Sequence, residues 1–212
     1  MANQDSPVHP LPAHPLPAHP LIVMGGSMGA IHALIQLLKH LPDEFPATIL
    51  VVMHTQARQS LALAQTLQPW SEIPAYEAID GASIKPRHLY TAVPDRHLLL
   101  SPEGMRVVMG PKEHGFRPAV DPLFRTAAEH YGKRVIGIIL SGGLWDGTAG
   151  LAEVKAHGGV TIVQDPQQAL VPSMPQSAIN YGVADHILPI AGIAQLLVTL
   201  IQQQAHESKD AL

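Results

Sequence analysis

The chain has 212 residues, of which 46% are hydrophobic and only 14% charged, with a formal net charge of −4. That length and apolar share suit one ordinary domain with a sizeable core and exclude a disordered or fibrous chain. With no basic block to track phosphates, nucleic acid is not an expected partner, and the absence of cysteine excludes a disulfide framework and thiolate zinc sites.

Residues 1–20 stand apart, because "HPLPAHPLPAHPL" repeats a five-residue unit with His9, His14 and His19 in phase. Proline at this density favours extended polyproline II, and evenly spaced histidines on such a chain do not pre-position metal ligands. A flexible leader is the expectation. No signal-peptide pattern or bilayer-length apolar run follows, so the protein is expected to be cytoplasmic, without direct membrane insertion.

From Leu21 onward, apolar runs alternate with helical periodicity. "LIVM" (21–24) reads as a buried strand, and the segment after it places Ile31, Leu34, Ile35 and Leu38 on one helical face, ending near Pro42. "ATILVVMH" (47–54) is a second strand, and residues 60–67 a second helix. Residues 74–109 are short β-rich runs split by Gly and Pro, with "SPEG" as a hairpin turn. "VDPLFRTAAEHYG" predicts a helix with Asp121 as its cap and Pro122 in its first turn. "RVIGIILSGG" is a third strong strand, followed by a helix from Thr148 to His157 and the strand "GVTIVQD". A short helix after Pro175, the strand "DHILPI" and an amphipathic helix from Ile193 complete the chain. Continuous apolar strands separated by helices predict a doubly wound α/β fold: a mainly parallel sheet with helices on both faces and a β-hairpin excursion at 74–109. The domain is expected to span 21–205, with 206–212 as a tail.

In such sheets ligands bind outside the carboxyl ends of the strands. The first strand ends at Gly25-Gly26-Ser27, the second at His54, and the third runs into "SGGLWDG" and Asp146. The opening turn fails both nucleotide patterns: glycines do not fall at the dinucleotide positions, and no Gly-Lys-Ser/Thr occurs. Taken singly, Ser27 reads as a helix cap, His54 as one of 13 histidines, and Asp146 as the cap of the helix after it. Taken together, a serine, a histidine and an aspartate at three strand ends are the parts of an acyl-transfer triad. Ser27 would be the nucleophile, His54 its base and Asp146 the carboxylate that orients the imidazole. The backbone N–H groups of Met28 and Gly29, at a helix start, would meet the oxyanion. His97 is a rival base and Asp165 a rival acid.

These residues resemble the catalytic domain of the bacterial chemotaxis protein-glutamate methylesterase family, CheB, over nearly all of residues 21–203. "GGSMGA" is similar to the family's nucleophile turn, "MH" to its strand-ending histidine, and "SGGLWDGTAG" to its glycine-rich loop ending in Asp-Gly. "TAVPDRHLLLS", "FRPAVDPLF" and "SMPQSAIN" also resemble segments of that domain. The resemblance implies hydrolysis of glutamate methyl esters on the cytoplasmic helices of chemoreceptors, releasing methanol, with deamidation of receptor glutamine as a second activity. It implies no cofactor or metal, a methylated chemoreceptor-like partner, and Gly143, Leu144, Trp145, Arg117 and Met174 as further oxyanion or substrate-binding positions. Met28, Ala30, Met53, Leu144 and Trp145 depart from the family pattern, and the receiver domain that usually precedes this one has no counterpart, so phosphorylation control is not expected. A non-catalytic binding module with the same fold is the alternative, and a small-molecule esterase a third reading.

Overall fold

A computed structural model describes residues 20–54 and 62–210. The leader with His9, His14 and His19, and the predicted helix start at Ser60, lie outside the described residues.

The apolar runs form β1 (Leu21–Gly26), β2 (Thr48–Met53), β7 (Val135–Ile139) and β8 (Val160–Gln164). With β3 (Ala75–Glu77), β4 (Leu89–Thr91) and β9 (His186–Leu188) they make a seven-stranded sheet, ordered β3-β4-β2-β1-β7-β8-β9 and parallel throughout. A parallel strand buried on both faces needs apolar side chains in both directions. In β1, Ile22 and Met24 enter a core with Leu34, Leu37 and Leu197, while Leu21 and Val23 enter a second core with Phe124 and Leu151. α1 (Ala30–His40) and α6 (Ile190–Asp210) cover the first face; α3 (Val120–Tyr131), α4 (Thr148–Ala156) and α5 (Ser173–Asn180) cover the second. The short α2 (Leu63–Leu67) adds Leu63 and Leu67 to the first. On α1, Leu34 and Leu38 are buried as expected, whereas Ile31 and Ile35 are only partly buried at the stripe's margin.

Three expectations need correction. The excursion at 74–109 is smaller, because β3 and β4 join the main sheet, Ile49 of β2 pairing with Leu89. Only β5 (His97–Ser101) and β6 (Gly104–Val108) form the separate antiparallel hairpin. A three-residue parallel edge strand and a hairpin arm carry the same short apolar signal, so pattern alone cannot separate them. Asp121 does not cap α3: the cap position is Ala119, which makes no side-chain bond, and Asp121 lies inside the first turn. α5 and α6 begin at Ser173 and Ile190, earlier than the pattern predicts; Pro175 sits in the first turn, where a missing N–H costs nothing.

The chain leaves β1 toward β2 and later returns to β7 on the other side of β1. That reversal is a topological switch point, and in open α/β sheets ligands bind beyond the strand ends at such a point.

Candidate active site

Gly26 pairs with Met53, so Ser27 and His54 leave neighbouring strands at one level, where strands run about 4.8 Å apart. The His54 amide donates to Gly26 O at 3.1 Å, and the Ser27 amide donates to Ser141 O, beyond β7, at 2.9 Å. From Ser27 the chain enters α1 through Met28 and Gly29. Gly29 has φ 84°, a conformation that suits glycine, and a Cβ there would stand 2.6 Å from Leu170 Cβ. Gly142 closes the other side: a Cβ on it would stand 3.0 Å from Ser27 Cβ and overlap the Met174 sulfur. The ordinary use of a serine here, capping the helix, does not occur. α1 starts from Gly29 without a side-chain cap bond, and the Ser27 hydroxyl makes no hydrogen bond among the described residues.

His54 is pinned on two sides. Its Nε2 lies 2.7 Å from Asp146 Oδ2, and its ring stacks on Phe116 at 3.6 Å between centroids with 6° between planes. The other nitrogen, Nδ1, is buried and has no hydrogen-bond partner among the described residues. A buried polar atom without a partner is costly, so such atoms concentrate where a ligand or a reacting group completes them.

Asp146 is fully buried, and its carboxylate does more than hold His54. Oδ2 accepts from the Val120 amide at 2.7 Å and Oδ1 from the Asp121 amide at 3.1 Å, so Asp146 caps α3 from outside the chain segment. It does not cap α4, which starts from Gly147 without a side-chain bond. Burial pushes its pKa up, but the His54 hydrogen bond and the two α3 amides outweigh burial and hold the carboxyl below the usual 3.8. Asp165, the rival acid, caps its own turn through the Gln167 amide. His97, the rival base, is buried with both nitrogens engaged, accepting from the Ala119 amide and bonding to Pro111 O.

The remaining expected positions divide. The Met28, Gly29 and Gly143 amides make no hydrogen bond among the described residues. Met28, Leu144 and Trp145 are 67%, 49% and 53% exposed, an apolar rim rather than core. Arg117 is committed elsewhere, bridging Asp95 and the Gly110 carbonyl. Met174 is fully buried beneath Gly142, where it supports the loop instead of facing the crevice. Sequence patterns do not single out Phe116 or Ser141. Both lie in quoted segments, but side-chain direction in a loop has no periodicity to betray it.

His114, Asp121 and Asp146 bring ligand atoms within 4.8 Å of one another. Those atoms are already engaged: His114 Nε2 meets Asp121 Oδ2 at 2.9 Å, the Gly150 amide donates to Asp121 Oδ1, and Asp146 holds His54 and α3. A cation would have to displace that network. Asp121 is raised above the usual carboxylate value, first by burial and further by the neighbouring Asp146 charge.

A doubly wound parallel sheet with an imidazole–carboxylate pair across its switch point defines a hydrolase-type α/β domain. The chain belongs to the CheB methylesterase family, whose sequence model matches residues 22–197. It is similar to the Thermotoga maritima protein-glutamate methylesterase/protein-glutamine glutaminase, 37% identical over 185 residues, which cover 85% of this chain and 54% of that protein. A Leptospira interrogans protein, provisionally given the same name, is 36% identical over 88% of this chain and 97% of its own length. This chain thus spans nearly all of one relative and about half of the other. The crystal structure of the Thermotoga maritima CheB methylesterase catalytic domain superposes with a TM-score of 0.83 at 36% identity, covering 86% of this chain and 98% of that one.

Proposed function

We propose that the chain is a serine esterase that removes methyl groups from glutamate methyl esters of a chemoreceptor-type protein in the cytoplasm. The observation that carries this reading is His54 Nδ1, buried without a partner among the described residues while Nε2 is held by Asp146, at the level where Ser27 leaves the adjacent strand. Ser27 Oγ attacks the ester carbonyl and gives its proton to His54 Nδ1. The ionised Asp146 offsets the imidazolium charge and fixes the ring. The tetrahedral oxyanion takes hydrogen bonds from the free amides of Met28, Gly29 and Gly143, beside the start of α1. Collapse breaks the C–O bond, and methanol leaves with the proton from His54. Water, deprotonated by the same imidazole, then attacks the acyl-serine and releases the glutamate carboxylate. An amide in place of the ester follows the same steps and releases ammonia, which gives the glutaminase reaction of the named relatives. Met28, Leu144 and Trp145 form an apolar lip that suits the flank of an amphipathic helix. No observation in the site favours a non-catalytic module.

Methanol release from a methylated receptor, by wild type and Ser27→Ala, tests the proposal. Loss of a triad nucleophile costs about 10⁶-fold in turnover. A folded Ser27→Ala protein that keeps most of its activity would sink the assignment.

A further inference from the structure

Ser27, Met28, Gly29 and Ala30 form a tight turn closed by the Ala30 amide on Ser27 O at 3.0 Å. Gly29, with φ 84° and ψ −14°, has the third-residue geometry of a type II turn. Its central peptide, joining Met28 to Gly29, is planar and trans, so the Met28 C=O and the Gly29 N–H point in opposite directions. Type I and type II turns differ chiefly in which way that peptide faces, and a glycine tolerates both. Nothing within the turn decides between them. A flip would replace the Gly29 N–H with the Met28 carbonyl oxygen, placing a negative dipole where a positive one serves an oxyanion.

The decision comes from outside the turn. Ser141, 1% exposed at the end of β7, donates its hydroxyl to Met28 O at 2.7 Å and accepts from the Val171 amide at 2.9 Å. Its backbone is fixed as well, with its amide on the buried Gln164 Oε1 at 2.8 Å and its carbonyl receiving the Ser27 amide at 2.9 Å. The hydroxyl lies directly against the turn, 2.8 Å from where a Cβ on Gly29 would stand. We propose that Ser141 is a positioning residue, a latch whose hydroxyl holds the Met28–Gly29 peptide in its type II orientation and so keeps the Gly29 N–H aimed into the oxyanion site. The inference rests on Ser27 being the nucleophile and adds a residue that touches neither substrate nor the reacting atoms.

A latch of this kind acts on the transition state, so it changes turnover rather than substrate affinity. In the full chain, acting on methylated receptor and on p-nitrophenyl acetate, Ser141→Ala should lower kcat by about ten- to a hundredfold, less than removal of an oxyanion donor outright. KM and the melting temperature should change little. Ser141→Thr, which keeps the hydroxyl, should restore most of kcat. Ser141→Cys, close in shape but a weak hydrogen bonder, should fall between them and serves if the alanine variant folds poorly. Equal kcat for the alanine or cysteine variant and the threonine variant would overturn the latch, as would a change confined to KM. Ser27→Ala, run in parallel, separates the two ideas. If Ser27→Ala abolishes activity while Ser141→Ala leaves kcat at the wild-type value, only the latch fails; if Ser27→Ala stays active, both fail.

Discussion

At the scale of single residues, the site depends on how one imidazole is held. His54 has Asp146 at one nitrogen and the Phe116 ring against its face, which leaves the ring little freedom. Asp146→Asn removes the charge that fixes the tautomer, and such a change costs about 10⁴-fold in turnover in a serine hydrolase. Phe116→Leu keeps apolar bulk but removes the stacked face. A stacked pair contributes about 0.5–1.5 kcal/mol to packing, so stability should fall by no more than that, and turnover should fall as well because the ring loses the face that orients it. Steady-state rates of both variants decide the matter, and a Phe116→Leu enzyme with unchanged kcat would reduce the ring to plain packing. The Asp146 contact was legible in sequence and the Phe116 contact was not. Ser27 and His54 each follow a strand directly and Asp146 lies in the loop between β7 and α4, whereas Phe116 lies in a loop whose path only the fold determines.

At the scale of elements, α3 depends on the same carboxylate as His54. Its first two amides, Val120 and Asp121, donate to Asp146, so the helix start and the imidazole share one anchor. The folded pKa of Asp146 is depressed, so its stabilising contribution is present above the usual value of 3.8 and is lost as pH falls through the folded value. Asp121 runs the other way: its folded pKa is raised, so its contribution is present below 3.8 and is lost as pH rises toward the folded value. The two act in adjacent windows, Asp121 above 3.8 and Asp146 below it. Asp121→Asn should therefore remove a gain in melting temperature as pH falls toward about 4, and Asp146→Asn should flatten the loss below about pH 4. Asp146→Asn should also cost about 1–3 kcal/mol near neutrality, because an Asn has one acceptor oxygen for the two α3 amides and leaves one buried donor unpaired. Parallel acid slopes for wild type and both variants would show that the two carboxyls do not set this dependence. The helix was legible from "VDPLFRTAAEHYG", but its cap was assigned to the nearest acid in sequence. The acid that caps it comes from a loop after β7 and reaches α3 only across the fold.

At the scale of the whole molecule, the crevice at the switch point is rimmed by exposed apolar side chains, with Trp145 in edge contact with His114 at 6.2 Å between centroids. On the proposed function, this half-exposed indole would meet a substrate helix rather than fill a core. Trp145→Asn should leave stability close to wild type and change the ratio of hydrolysis rates between differently methylated receptors. An unchanged ratio would return Trp145 to a surface role. The sequence by itself determined the layered α/β architecture, because strands buried on both faces must be continuously apolar and covering helices must carry apolar stripes. It also determined which residues stand at the strand ends, since a strand stops where its apolar run stops. Only the tertiary structure decided which of those ends are neighbours, that β3 and β4 join the sheet, that Asp146 rather than Asp165 meets His54, and that Ser141 lies against the turn after Ser27. Those are contacts between segments distant in sequence. They are set by strand order and register, and neither periodicity nor local propensity carries that information.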